Sequence, residues 1–201
     1  DTSKLEARRI SINPGHRALF WKNNCVAVGI SAGFIEPLEA SALALIELSA
    51  AMIRDDFPAT RELMDVVADR FNQRMAYRWQ RIVEFLKLHY VLSRRKDREF
   101  WLENREPGTI PERLQDLMKL WAYRPPSRRD FWEIEEIFPA ASYQYVLYGM
   151  DGQKAGATVY DDLAAERLVR ETAGMTQKYL SGLPSNRDLL RQVAARGLPR
   201  I

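Results

Sequence analysis

The sequence has 201 residues, 46% hydrophobic and 28% charged, enough for one substantial core or for one domain plus part of another, and not the composition of a disordered chain. Thirty basic residues interleave with twenty-seven acidic ones for a net charge of +3, so a nucleic-acid-binding role is not expected. Cys25 is the single cysteine and His16 and His89 are the two histidines, which excludes an internal disulfide and a cysteine or multi-histidine metal centre.

The longest apolar stretch, residues 38–53, is interrupted by Glu39 and Glu47 and is too short to span a bilayer. No secretory leader pattern stands at the start, and these features together predict a cytoplasmic protein. The chain opens at Asp1 without an initiating methionine and runs into Arg-Ile-Ser-Ile-Asn-Pro-Gly at residues 9–15, a strand end and turn. That opening reads as the cut edge of a longer protein.

Cys25-Val26-Ala27-Val28-Gly29-Ile30 is a short, nearly continuous apolar run that predicts a strand buried on both faces. Gly29 and Gly33 then bracket a tight turn. Pro37 suits the first position of a helix, with Glu36 before it and Glu39 in its first turn. Leu38, Ala42, Leu45, Ile46, Ser49, Met52 and Ile53 carry the helical period onward. From Thr60 the period runs through Val67, Phe71, Met75, Trp79, Ile82, Leu86 and His89, which predicts a long amphipathic helix ending near Ser93. Pro107-Gly108 interrupts the chain before a short helix over residues 112–121, and Pro125-Pro126 interrupts it again. Residues 130–138 read as a turn or short helix, and residues 143–148 as a strand or a helical segment. Residues 158–180 are helical, and a last helix is capped near Ser185 or Asn186. The fold class is mainly α with a small strand-led unit at the N-terminus (α+β).

A buried strand that feeds a glycine turn and a helix N-terminus makes an anion-binding end, because unpaired N–H groups and the helix dipole converge there. The same corner also serves purely structural ends, and it is not a phosphate loop, because no Gly-Lys-Ser/Thr follows. The mixed-charge residues 94–99 read as solvated surface, and Asp161-Asp162 as acids at a helix start.

The stretch Trp21-Lys22-Asn23-Asn24-Cys25-Val26-Ala27-Val28-Gly29, followed by Gly33-Phe34-Ile35-Glu36-Pro37-Leu38-Glu39, strongly resembles the signature of flavin-dependent halogenases of the tryptophan-halogenase type. Leu88-His89-Tyr90 with Arg95, Asp97, Phe100 and Trp101 is similar to a second family stretch. Gly182-Leu183-Pro184-Ser185 with Arg187-Asp188-Leu189-Leu190 is similar to a third.

The resemblance implies the C-terminal part of a flavin-dependent halogenase or monooxygenase fold. Residues 1–58 would be a remnant of the flavin-binding domain and residues 59–201 the helical, substrate-side region. Glu39 falls at the catalytic glutamate, which works beside a lysine and takes the proton lost by the halogenated ring. Ser41 and Ala42 fall at the backbone positions that hold the halide, where the family often has Thr-Gly. Gly29, Ala32 and Gly33 fall where the family's backbone passes the flavin, with tight turning as their competing role. Phe131, Trp132, Phe138 and Tyr143 are the candidate substrate-pocket residues, core packing being the alternative.

Pro139 stands where members acting on free tryptophan carry a tryptophan, and it cannot sandwich an indole. The implied substrate is therefore an indole or another electron-rich aromatic. The implied cofactors are reduced flavin adenine dinucleotide and chloride or bromide. The implied partners are a flavin reductase and a second copy in a homodimer, with no nucleic acid and no membrane. The family's Gly-x-Gly-x-x-Gly fingerprint, catalytic lysine and Trp-x-Trp-x-Ile-Pro motif are not in these 201 residues, so this chain by itself is expected to be inactive. The alternatives are a flavin monooxygenase relative without halide use and a non-catalytic helical interaction module.

Overall fold

The structure, a computed structural model, describes residues 10–131, 136–150 and 162–197. The chain divides into two compact units, Asp1–Gly156 and Ala157–Ile201.

The first unit opens with four two-residue strands. β1 (Gly15–His16) pairs antiparallel with β4 (Gly33–Phe34), and β2 (Trp21–Lys22) pairs antiparallel with β3 (Cys25–Val26). The β2–β3 hairpin closes through Asn23, whose φ of 55° is left-handed and suits a tight hairpin turn. The long helix behind holds this hairpin. Asn72 Oδ1 accepts the amides of Phe20 and Trp21 at 2.7 Å each, and its Nδ2 donates to the Trp21 carbonyl at 2.8 Å.

The expected strand buried on both faces, residues 25–30, is corrected. Strand β3 ends at Val26, with one further cross-hairpin bond from the Ala27 amide to the Phe20 carbonyl at 2.7 Å; Cys25 is exposed, and Ile30 is 85% exposed. Gly29 enters the left-handed region at φ 64° and starts a 3-10 turn, Gly29–Ser31.

α1 spans Ser41–Asp55, so the expected helix start at Pro37 is also corrected. Pro37 accepts the Ala40 amide in a turn at 3.2 Å, and Ala40 takes a left-handed φ of 50° before the helix begins. Glu39 therefore lies in that turn and not in a helical first turn. α1 buries Ser41, Leu45, Ser49 and Met52.

α2 (Met64–Leu92) is the spine of the unit. Phe71, Met75, Trp79, Ile82, Phe85, Leu86 and Leu88 are all buried along its inner face, as the helical period predicts. After a short α3 (Glu99–Glu103) and a 3-10 turn at Pro107–Thr109, α4 (Glu112–Trp121) buries Leu114, Leu117 and Trp121. Residues 143–148, open between strand and helix from sequence, belong to helix α5 (Ala140–Gly149), with Tyr143 and Leu147 buried.

Two ionic clusters tie these elements together. Arg81 of α2 and Arg113 of α4 both bind the buried Glu84, at 2.6 and 2.7 Å. Asp130 accepts from Trp121 Nε1 at 3.0 Å, from the Ser127 amide at 2.8 Å and from the Arg124 guanidinium. Burial pushes the Asp130 carboxyl upward, but those three donors outweigh it and hold its pKa below the usual carboxylate value.

The second unit contains α6 (Asp162–Gly182) and α7 (Asn186–Arg196). Ser185 caps α7, its Oγ accepting the Asp188 amide at 3.2 Å, at the place the sequence predicts. No described helix is long and apolar enough to cross a membrane.

Candidate functional site

The turn of residues 36–39 lies against the C-terminal end of α2, and two consecutive α2 residues grip its two carboxylates. His89 Nε2 lies 2.8 Å from Glu39 Oε1, and Tyr90 donates its hydroxyl to Glu36 Oε1 at 2.6 Å. The other ring nitrogen of His89, Nδ1, lies 2.9 Å from the Phe85 carbonyl one turn back along the helix. Burial first, and then the Glu36 hydrogen bond, push the Tyr90 phenol up to about 12. The Glu39 side chain keeps 33% of its surface exposed against 16% for His89, so Glu39 is anchored through one oxygen and remains open to an incoming molecule.

Just beyond Glu39, Ser41 and Ala42 are the first two residues of α1, and no side chain caps that helix. Their amides belong to the first turn, which has no intrahelical acceptors, at the positive end of the helix dipole. Ser41 is buried and Ala42 exposed. The later start of α1 thus sets the Glu39 carboxylate and the helix N-terminus side by side.

The three residues expected to pass the flavin share one turn, the Ala32 amide donating to the Gly29 carbonyl at 2.9 Å, but differ in what surrounds them. A Cβ at Gly33 would sit 2.7 Å from His16 Cβ, 2.7 Å from Trp79 Cζ2 and 2.8 Å from the Gly15 carbonyl. The space beside Gly33 is therefore filled by the protein's own atoms. Ala32 is 3% exposed and belongs to the core. Gly29 is half-buried and left-handed, with Ile46 nearest to where its Cβ would be. Of the three, Gly29 is the least enclosed.

The substrate-side aromatics gather around Phe85. Phe138 stacks on it at 4.1 Å, Tyr143 meets it at 4.7 Å, and Phe131 packs on Tyr143 at 4.7 Å. Phe138 and Tyr143 are buried and Phe131 is half-buried; Trp132 lies outside the described residues. Phe85 also meets the His89 ring edge to face at 5.0 Å. The chain of contacts from Phe138 through Phe85 and His89 thus ends on Glu39. Sequence reasoning gave His89 no role here. The available signals are its spacing of four from Phe85 and its place in the last turn of a long helix.

A sequence profile described as tryptophan halogenase matches residues 1–166. The 7-chloro-L-tryptophan 6-halogenase KtzR of Kutzneria sp. (strain 744) is 27% identical over 198 residues, which is 96% of this chain and 38% of that protein. Among solved structures, the tryptophan halogenase of Shewanella frigidimarina NCIMB 400 superposes with a TM-score of 0.89 at 47% identity, covering 98% of this chain and 38% of that one. BrvH, a flavin-dependent halogenase of Brevundimonas sp. BAL3, superposes with a TM-score of 0.74 at 32% identity over 94% of this chain and 38% of that one. The chain therefore spans less than two fifths of the length of these relatives.

Proposed function

Because this chain belongs to the tryptophan halogenase family, we propose that the protein containing it halogenates an electron-rich aromatic ring, and that this chain contributes the carboxylate that removes the ring proton. The observation that carries this reading is the seating of Glu39 on His89, beside the uncapped start of α1. Reduced flavin adenine dinucleotide, held chiefly by the remainder of the protein, would with molecular oxygen provide the two-electron oxidation that turns halide into the electrophilic halogen. The flavin-dependent halogenase of Brevundimonas supports that cofactor.

In this scheme the Ser41 and Ala42 amides attract chloride or bromide at the helix N-terminus. Glu39 takes the proton when the halogenated ring recovers its conjugation. Phe131, Phe138 and Tyr143 form the aromatic wall on the substrate side, and Trp132, outside the described residues, is a further candidate for substrate contact. Pro139 in place of a tryptophan favours indole or a larger electron-rich aromatic over free tryptophan, although KtzR is named for a tryptophan derivative. Residues 1–58 belong to the flavin side and residues 59–201 to the substrate side. The working protein is a cytoplasmic homodimer supplied by a flavin reductase.

The test uses the full-length protein with a flavin reductase, oxygen, bromide and indole. Wild type forms bromoindole in a bromide-dependent reaction, and Glu39→Gln reduces that rate by about 100-fold or more, the scale of a lost general base. Undiminished bromination by Glu39→Gln, or product formation independent of bromide, refutes the proposal.

A further inference from the structure

We propose that His89 is a positioning residue for Glu39: an imidazolium fixed to the last turn of α2 that holds the carboxylate ionised by one oxygen and leaves the other to meet the substrate. This rests on Glu39 acting as the proton acceptor.

The hydrogen-bond pattern supplies the first step. The Phe85 carbonyl only accepts, so His89 Nδ1, 2.9 Å away, carries a hydrogen. Nε2 faces a carboxylate oxygen at 2.8 Å. A bare nitrogen lone pair against a bare carboxylate oxygen would repel, so one proton lies between them. The pair is therefore either imidazolium with carboxylate or neutral imidazole with carboxylic acid.

Three features select the charged pair. His89 lies in the last turn of a 29-residue helix, whose free carbonyls favour a cation. Glu39 is one-third exposed, so its charge keeps much of its hydration. Glu36 adds a second carboxylate to the same turn. The other titratable groups at this end of α2 are engaged elsewhere: Tyr90 donates to Glu36, and Lys87 donates to Asn104 at 2.7 Å and Thr109 at 3.0 Å.

The consequence for the reaction is specific. When the halogenated carbon loses its hydrogen, the C–H electron pair returns to the ring and the proton bonds to the outer oxygen of Glu39. The Nε2 hydrogen of His89 stays in place on the inner oxygen. His89 therefore transfers no proton; its contact with the inner oxygen fixes which oxygen of Glu39 faces outward.

The test has two readouts on the full-length protein. In a sample labelled with nitrogen-15 in histidine, the His89 signals are identified by their loss in His89→Gln. Near neutral pH both ring nitrogens should report as protonated in wild type, and in Glu39→Gln the ring should revert to neutral with hydrogen on Nδ1. In the second readout, kcat and KM of bromoindole formation are compared between wild type and His89→Gln, which keeps an N–H donor but not the ring geometry. His89→Gln should lower kcat by about 10-fold with KM for indole unchanged, because a misplaced carboxylate slows proton removal without altering substrate binding. A neutral His89 ring in wild type, or an unchanged kcat in His89→Gln, overturns the proposal. Full bromination by Glu39→Gln would instead remove Glu39 as acceptor, and the proposal with it, even with the imidazolium signal present.

Discussion

Replacing Gly33 by alanine separates packing from cofactor approach as the reason for that glycine. The added methyl would lie 2.7–2.8 Å from three atoms on β1 and α2, one of them the Gly15 backbone oxygen. Comfortable contact begins near 3.5 Å, so three contacts are each short by about 0.7 Å. Overpacking of this kind costs about 1–3 kcal/mol, towards the upper half here because backbone cannot rotate away. The loss falls on the β1–β4 pair and on the Arg17 amide bond to the Ala32 carbonyl. At about 2 kcal/mol, local opening becomes about 30-fold more frequent. Hydrogen exchange of flavin-free protein, followed by mass spectrometry over residues 14–34, should accelerate by that factor in Gly33→Ala. Unchanged exchange accompanied by weaker flavin binding would refute the packing account and return Gly33 to the cofactor.

Three further outcomes follow from the same geometry. Asp130→Asn should destabilise the protein by about 2 kcal/mol in urea unfolding, less than a fully buried pair because Arg124 is 40% exposed. The depressed pKa of Asp130 means that its contribution is present above the unfolded value near 4 and lost as pH falls through the folded value; the mutant should therefore lack that acid-dependent decline. Tyr90 should ionise near 12 in an ultraviolet titration, against about 10 for a free phenol, and Glu36→Gln should recover only part of that shift, because burial is its largest cause. The stability linked to neutral Tyr90 is full below about pH 10 and disappears as pH rises through the folded value. Phe85→Ala, which removes a side chain 1% exposed and stacked on Phe138, should cost about 3–5 kcal/mol and lower bromination as well by loosening His89.

Much of the fold is legible in the chain because helices announce themselves locally. The apolar period from Val67 to Leu86 matches the buried face of α2, the Pro107-Gly108 break and the Leu114–Leu117–Trp121 spacing mark α4, and Ser185 marks the start of α7. The two-residue strands were not legible, since a short apolar run carries no sign of how far its partner extends. The start of α1 was misplaced because Pro37 looks like a first helical residue, while the actual boundary depends on Ala40 adopting a left-handed conformation that alanine does not advertise.

The candidate site divides the same way. By its motif the sequence alone identified the family and singled out Glu39 as the candidate proton acceptor, and its composition leaves too few cysteines and histidines for a metal centre built from them. Only the tertiary structure decided what Glu39 touches. Its partner His89 is fifty residues away, and their contact exists because the core along α2 places the end of that helix against the turn of residues 36–39. Helical burial repeats every few residues and can be read locally, whereas a hydrogen bond between distant segments depends on how whole faces pack.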